Sequence, residues 1–438
     1  MTSTPESMEI GSSVGPGKAT SSRSAIETFQ AREGEIVRVV RRRSGAASRT
    51  TLAPSPLETG PLTSGQAEAA FLRRTEKPNW GLGVETVRFA DLFCGCGSLA
   101  LGVLEAARAL HMRAELRLAA DVDLDALRVL RASLGVPAQT AARLNLTRHV
   151  KADPAAATSP SERQLAARVG PELRIAVAGP PCQGHSTLNN HSRHDDVRNH
   201  LYLRVVRFAA LAEPDYLLIE NVASIERDTR RSLERAISGL VNLGYRVNEG
   251  LVDLNVLGVP QRRQRHVLVA CAPHSKSLAV NDVINAHQVD DRVSRTVGWA
   301  IDDLEAQSGA APFDRASVPS SENRSRIDWL HDRDEYDLPN PLRPPCHQGS
   351  HSYKSMYGRL HSDRPAQTIT SGYGSMGQGR YVHPRLRRTL TPHEAARLQL
   401  IPDFFDFSSV RSRGACAQMI GNAAPWKLGY VFSLEMLR

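Results

Sequence analysis

The chain has 438 residues, 41% hydrophobic and 5% aromatic, which is enough apolar material for one large α/β core and a smaller second domain. Its formal charge of +9 suits a polyanionic partner, and no run nears the roughly 20 uninterrupted apolar residues of a membrane span. No apolar signal segment opens the chain, so the expected location is cytoplasmic; six scattered cysteines read as reduced thiols, and Cys94-Gly95-Cys96 alone is too few ligands for a zinc site.

Residues 1–80 are rich in Ser, Thr, Pro, Gly and Arg without sustained periodicity, which predicts a mostly disordered basic arm. Within it, Val37 to Arg43 concentrates positive charge that would either track phosphates or simply be solvated. Order is expected from Thr86. Val87 to Phe93 is strand-like, a glycine turn follows, and Leu99 to Leu110 has helical apolar spacing. The alternation repeats: strand Leu116–Ala120, helix Leu124–Leu134, strand Leu173–Ala178, helix Leu201–Leu211, strand Tyr216–Ile219 and helix Ser232–Leu243, then strands Tyr245–Leu254 and His266–Ala272. Such alternation predicts a doubly wound, mostly parallel, Rossmann-like α/β sheet, which binds ligands beyond the carboxyl ends of its strands. From about 275 to 383 the pattern dissolves into a Pro-, Ser-, Arg- and Asp-rich stretch, read as an inserted, smaller, loop-rich domain that divides the larger one into 81–274 and 384–438. Thr391-Pro392-His393-Glu394 is a capping box for a helix to Leu400, and a last helix starts near Pro425.

The residues that carry chemistry cluster at the expected strand ends. Asp91-Leu92-Phe93-Cys94-Gly95-Cys96-Gly97 lets backbone approach a ligand closely, and Asp121 ends the next strand where a ribose-binding acid sits in nucleoside-binding α/β folds. Together they favour an adenosine-containing cofactor. Gly179-Pro180-Pro181-Cys182-Gln183-Gly184-His185-Ser186 follows an apolar strand and presents a thiol on a stiff loop. A lone cysteine is usually a small buried hydrophobe, but two prolines and two glycines at this edge suit a nucleophile. Glu220-Asn221-Val222 brings an acid to the same edge, either for chemistry or to cap the next segment. In Gln261-Arg262-Arg263-Gln264-Arg265 the alternate residues Arg263 and Arg265 are expected on one face, to bind phosphate, carboxylate or a base edge, unless they are only a solvated strand start.

In this order these blocks resemble the C5-cytosine-specific DNA methyltransferase family, from about residue 86 to the last. Arg388 to Gln399 and Gln418 to Ala423 are similar to its ninth and tenth motifs. The resemblance implies S-adenosyl-L-methionine (AdoMet) as cofactor and double-stranded DNA as partner. A methyl group would pass to C5 of a flipped-out cytosine in a short specific sequence, through a covalent bond from Cys182 to C6, with Glu220 at N3 and Arg263 and Arg265 completing the catalytic set. It places AdoMet along Asp91, Phe93, Gly95 and Gly97, with Asp121 on the ribose, Val122 against adenine, and Asn145, Pro180, Leu201, Asn422 and Ala423 around it. Gln183, His185, Ser186, Asn189 and Arg193 are implied DNA contacts, and the insert takes the target-recognition position, with Arg359 and Arg380 on phosphate. No metal is implied, the chain is expected to act as a monomer, and a restriction endonuclease would be a genetic rather than physical partner.

Four positions depart from the family pattern: Ser98 stands for a frequent glycine, His185 for a phenylalanine, Asn145 for an acid, and Trp426 follows Pro425. None removes a catalytic group. The competing readings are a same-fold RNA cytosine-5 methyltransferase, an inactive DNA-binding regulator, and an AdoMet enzyme for a small molecule. The large insert favours duplex DNA over the first and third, and intact Cys182, Glu220 and Arg265 argue against the second.

Overall fold

The computed structural model describes residues 25–32, 35–42, 47–52, 64–181, 201–228, 231–290, 295–306, 311–348 and 355–438. They fall into two compact units, 1–63 and 64–438. In the first, β1 (Ala25–Arg32), β2 (Glu35–Arg42) and β3 (Ala47–Leu52) pair antiparallel in sequence order. The stretch expected as disordered arm thus contains strands, and Ile36, Val37, Val39 and Val40 give β2 the β-branched composition that a strand favours.

The second unit is built on seven strands in the order β6-β5-β4-β7-β8-β11-β9. They are β4 (Thr86–Leu92), β5 (Arg113–Asp121), β6 (Ala141–Arg143), β7 (Ile175–Ala178), β8 (Tyr216–Val222), β9 (Arg246–Asp253) and, after the two-residue β10 (Gln261–Arg262), β11 (Gln264–Cys271). The neighbours from β6 to β8 are parallel, whereas β11 runs antiparallel to both β8 and β9. Only a short helical turn, Leu254–Leu257, separates β9 from β10, and without a crossover helix the returning strand must run antiparallel.

Both faces of the sheet are covered. Phe89, Ala119, Val177, Leu218 and Val267 pack with the helices Ser98–Ala109, Leu124–Leu134, Val280–Ala286 and Trp426–Leu437. Leu92, Leu118, Ala178, Ile219 and Leu268 pack with Pro160–Val169, Leu201–Ala212 and Ser232–Asn242. The doubly wound arrangement read from the sequence is present, with a mixed rather than wholly parallel sheet. The capping box also forms: Thr391 Oγ1 accepts from the Glu394 backbone N–H at 3.1 Å, and Glu394 Oε2 accepts from that of Thr391 at 2.8 Å.

Helix Ser98–Ala109 meets Trp426–Leu437 backbone to backbone. A Cβ on Gly102 would lie 2.4 Å from Trp426 O and 2.5 Å from Tyr430 N, and one on Gly429 would lie 2.8 Å from Leu99 O. Backbone atoms cannot rotate aside as a side chain can. Gly102→Ala is therefore expected to destabilise the protein by about 1–3 kcal/mol or more, read as a lower urea midpoint at unchanged slope.

Residues 64–80 belong to this unit rather than to an arm. Helix Ser64–Leu72 buries Leu72 and sets the Phe71 ring 5.0 Å from that of Trp426, while the indole N–H of Trp80 donates to Glu105 Oε1 at 2.6 Å. The tail residue Trp426 is explained by this packing. Nor is residue 275 a break in packing: Val280, Val283, Val297, Ile301 and Leu304 join the main core. A separate small core of Ile327, Leu330, Leu338, Tyr357, Met376 and Val382 lies deeper in the insert, which rejoins the larger body where β12 (Ala366–Gln367) pairs in parallel with β10. Among the described residues, no helix is long and apolar enough to cross a membrane.

Candidate active site

β4 delivers Asp91 to the carboxyl edge of the sheet, and the chain then turns sharply. Phe93 takes φ 57° and Gly95 and Gly97 take 51° and 89°, left-handed values that suit glycine and strain phenylalanine. A Cβ on Gly97 would come within 2.9 Å of Leu130 and Leu134, so packing demands glycine there. At Gly95 the same construction meets nothing within 4 Å, which leaves open space above the turn.

Asp121 ends β5 directly beside this turn. Its Oδ2 accepts from the Gly95 N–H and its Oδ1 from the Asp123 N–H, each at 2.9 Å, which holds the carboxylate at the rim. Burial raises its pKa, and the backbone N–H groups of Asp123, Gly95 and Val122 offset part of that rise. Next to it Val122 is 56% exposed, an apolar face at the strand end that the described residues leave uncovered. Asp91 is fully buried, and neither of its oxygens has a hydrogen-bond partner among the described residues. Enclosure and negative neighbours push the Cys94 thiol up and that of Cys96 to about 12, so both remain protonated packing residues. An orphaned acid, open backbone, a rim carboxylate and a bare apolar face fit the ammonium, the methionine chain, the ribose hydroxyls and the adenine of AdoMet.

The second half of the site grows from β7 and β8. Gly179 follows β7 and donates to Leu92 O at 3.2 Å, and Pro180 is buried, its carbonyl accepting from Asn221 Nδ2 at 3.3 Å. Glu220, on β8, is nearly enclosed and pairs through Oε1 with Arg265 Nε at 2.6 Å. Antiparallel register sets Arg265 opposite Val222 and Val267 opposite Glu220, so acid and guanidinium share one face. A Cβ on Gly179 would lie 3.8 Å from Glu220 Oε2 and 3.9 Å from Phe93 O, so the glycine turn and the acid meet at this glycine. Cys182 follows three residues later; it and Gln183, His185, Ser186, Asn189 and Arg193 lie outside the described residues.

Arg263 does not join Arg265. Strand alternation holds only within one strand, and the chain leaves the ladder at Arg263, between β10 and β11. Its guanidinium is buried against backbone carbonyls, donating to Ile369 O at 2.9 Å, Gly421 O at 3.3 Å and Ala423 O at 3.1 Å. It braces the segment carrying Asn422, which is exposed, and Ala423, which is half-buried. Gln261 works beside it, donating to Leu398 O at 2.8 Å and to Gln399 Oε1 at 2.7 Å while accepting from the Ile369 N–H at 3.0 Å. Sequence reasoning missed both Gln261 and the Asn221 tether; the available signal was that each is an amide beside a charged motif residue, on the opposite strand face.

The remaining expected residues divide. Leu201 is buried at the start of its helix. Asn145 caps the short helix Leu146–His149, accepting from the Thr147 N–H at 3.0 Å, so its carbonyl oxygen is committed to the backbone. Arg359 and Arg380, expected on phosphate, have partners within the protein. Arg359 donates to Pro384 O at 2.7 Å and Asp334 Oδ1 at 2.9 Å, and Arg380 to Tyr336 O at 2.7 Å and Asp337 Oδ1 at 2.5 Å. An aspartate partner near each in space neutralises charge that the sequence displays as free.

Known proteins match this arrangement over most of its length. The family model for C-5 cytosine-specific DNA methylases covers residues 87–436. The chain is 40% identical over 418 residues to the type II methyltransferase M1.BsuMI of Bacillus subtilis (strain 168), covering 94% of this chain and 95% of that one. It is 29% identical over 276 residues to the type II methylase M.HgiDII of Herpetosiphon aurantiacus, covering 60% of this chain and 76% of that protein. Among solved structures, the S. pombe Dnmt2 methyltransferase aligns at TM-score 0.50 and 17% identity, covering 80% of this chain and 98% of its own. The Entamoeba histolytica methyltransferase EhMeth aligns at 0.51 and 14%, covering 81% and 100%. The structural likenesses speak for the fold; the family match across four-fifths of the sequence, over the glycine turn, Glu220 and Arg265, says that this chain belongs to the C-5 cytosine-specific DNA methylases.

Proposed function

We propose that the protein uses AdoMet to methylate C5 of a flipped-out cytosine within one short duplex sequence, as the modification enzyme of a type II system. The observation that carries this reading is Gly179, which adjoins both Phe93 of the glycine turn and Glu220, three residues before Cys182. When bound, AdoMet supplies an electrophilic methyl group; Asp121 holds the ribose, Val122 covers adenine, and Asp91 faces the ammonium.

The chain's own residues do the activating chemistry. Cytosine C5 is a poor nucleophile until the Cys182 thiolate adds at C6 and gives the C4–C5–C6 segment enamine character. Negative charge then gathers towards N3, where Glu220 is the hydrogen-bonding acid, and Arg265 fixes that acid through Oε1 so that Oε2 is left for the base. Loss of the C5 proton afterwards expels Cys182 by β-elimination. Arg263 is a positioning residue that braces the Asn422–Ala423 edge of the cofactor pocket. Target recognition falls to the insert within 275–383. Action as a monomer, in the cytoplasm with the DNA and with a restriction endonuclease as genetic counterpart, belongs to the same reading.

Bisulfite sequencing of DNA from a host without cytosine methylation, expressing the protein, tests it. Protected cytosines confined to one short motif are expected. Protein that binds AdoMet yet leaves DNA unprotected would move the substrate to RNA or make the chain an inactive regulator.

A further inference from the structure

Asp91 is the most isolated acid of the site. Its strand neighbours are Ala119 on β5 and Val177 on β7, neither of which can pair with it. Asp121 faces it from β5, and the thiols of Cys94 and Cys96 interact with it from the turn. Helix Ser98–Ala109 brings the Ala100 backbone N–H, which faces the carboxyl group without closing a bond of hydrogen-bond geometry. None of these groups is a cation. Burial, reinforced by Asp121, holds the acid well above the usual carboxylate range, and the Ala100 N–H offsets this only in part.

A bare carboxylate in such a place is costly, whereas an ammonium beside it makes a strong charge-assisted pair. The open space at Gly95 lies four residues along the same turn. We propose that cofactor capture is proton-coupled: Asp91 is a carboxylic acid in the free enzyme, and the arriving α-ammonium of AdoMet drives its proton into solvent and leaves an ammonium–carboxylate pair. One proton leaves for each cofactor bound, so charge balances. The inference rests on the reading of this turn as the AdoMet pocket.

The direction of the pH effect follows. Below the titration point of Asp91 in the free enzyme, a proton must be expelled on binding, and affinity falls about tenfold for each unit of acidification. Above that point there is nothing to expel and this dependence ends; independently, affinity falls once the cofactor's own α-amino group loses its charge, at about 8. In the free protein the raised pKa gives the opposite trend for folding: the stability contributed by neutral Asp91 is present at low pH and lost as pH rises through its folded value.

Titration calorimetry of the full-length protein, in buffers of differing ionisation enthalpy, reads the proton directly. AdoMet is expected to release close to one proton at pH values below the titration point of Asp91 in the free enzyme, and 5′-methylthioadenosine, which lacks the ammonium, none. Asp91→Asn is nearly isosteric; it should bind AdoMet with no proton release and a flat acidic limb, and should melt no lower than the wild-type free protein at neutral pH. AdoMet binding without proton exchange, or unchanged exchange in Asp91→Asn, overturns the coupling while leaving the pocket in place. Absence of any AdoMet binding overturns both the pocket and the coupling. If Asp91→Asn fails to fold, the contrast between the two ligands on the wild-type protein decides alone.

Discussion

Cys182→Ser should reduce methyl transfer by at least about 10⁴-fold, on the scale seen when a covalent nucleophile is removed, while AdoMet affinity stays within about twofold. A serine hydroxyl at neutral pH offers almost no alkoxide, whereas a thiol offers some thiolate and is intrinsically far more nucleophilic. Without addition at C6, cytosine C5 has no enamine to present. Asp91 and Asp121, the residues proposed to hold the cofactor, stand on other strands, so the substitution leaves them untouched. Radiolabelled methyl transfer beside a calorimetric AdoMet titration separates the two effects. Measurable turnover at a tenth of the wild-type rate would remove Cys182 from the chemistry.

Glu220→Gln should lower the rate of the chemical step by about 10²–10⁴-fold, the usual span for a positioned acid or base. Two losses combine. An amide cannot donate a proton to N3, and the Arg265 guanidinium, 2.6 Å from Glu220 Oε1, loses its counter-charge in a nearly enclosed place. The second loss also lowers the melting temperature, so single-turnover rates must be taken well below the transition. Asp in place of Glu restores the charge but withdraws the carboxyl group by one methylene. A Glu220→Asp variant that regains stability and remains slow would show that position, not charge alone, sets the rate. Equal single-turnover rates for Glu220→Gln and the wild type would end the assignment.

The sheet and the strand-end residues were legible because they depend on local pattern. Apolar strands ending in Asp91, Asp121 and Glu220 announce both the alternation and the edge to which it leads, and these residues stand where the pattern put them. Less legible are the features that depend on a partner remote in sequence. Arg359 and Arg380 look free beside a phosphate-binding role until Asp334 and Asp337 appear next to them in space. Arg263 looks equivalent to Arg265 until the strand breaks beneath it. Helix Ser64–Leu72 has apolar residues but no one-sided apolar pattern to signal itself, and it is held by Phe71 and Leu72 against a core that includes residues from the other end of the sequence. The reversed β11 was readable in principle, since only a short helical turn and the two-residue β10 separate it from β9.

The glycine contact between Gly102 and Gly429 joins positions more than 300 residues apart. At a translation speed of roughly 5–20 residues per second, the first of these helices would emerge roughly 16–65 s before the second is made. Throughout that interval the smooth, apolar side of Ser98–Ala109, next to the cofactor turn, has no permanent cover. The nascent protein is thus committed to a waiting period in which this surface is shielded by transient contacts or by chaperones, and the final closure of the cofactor side is among the latest events of its maturation.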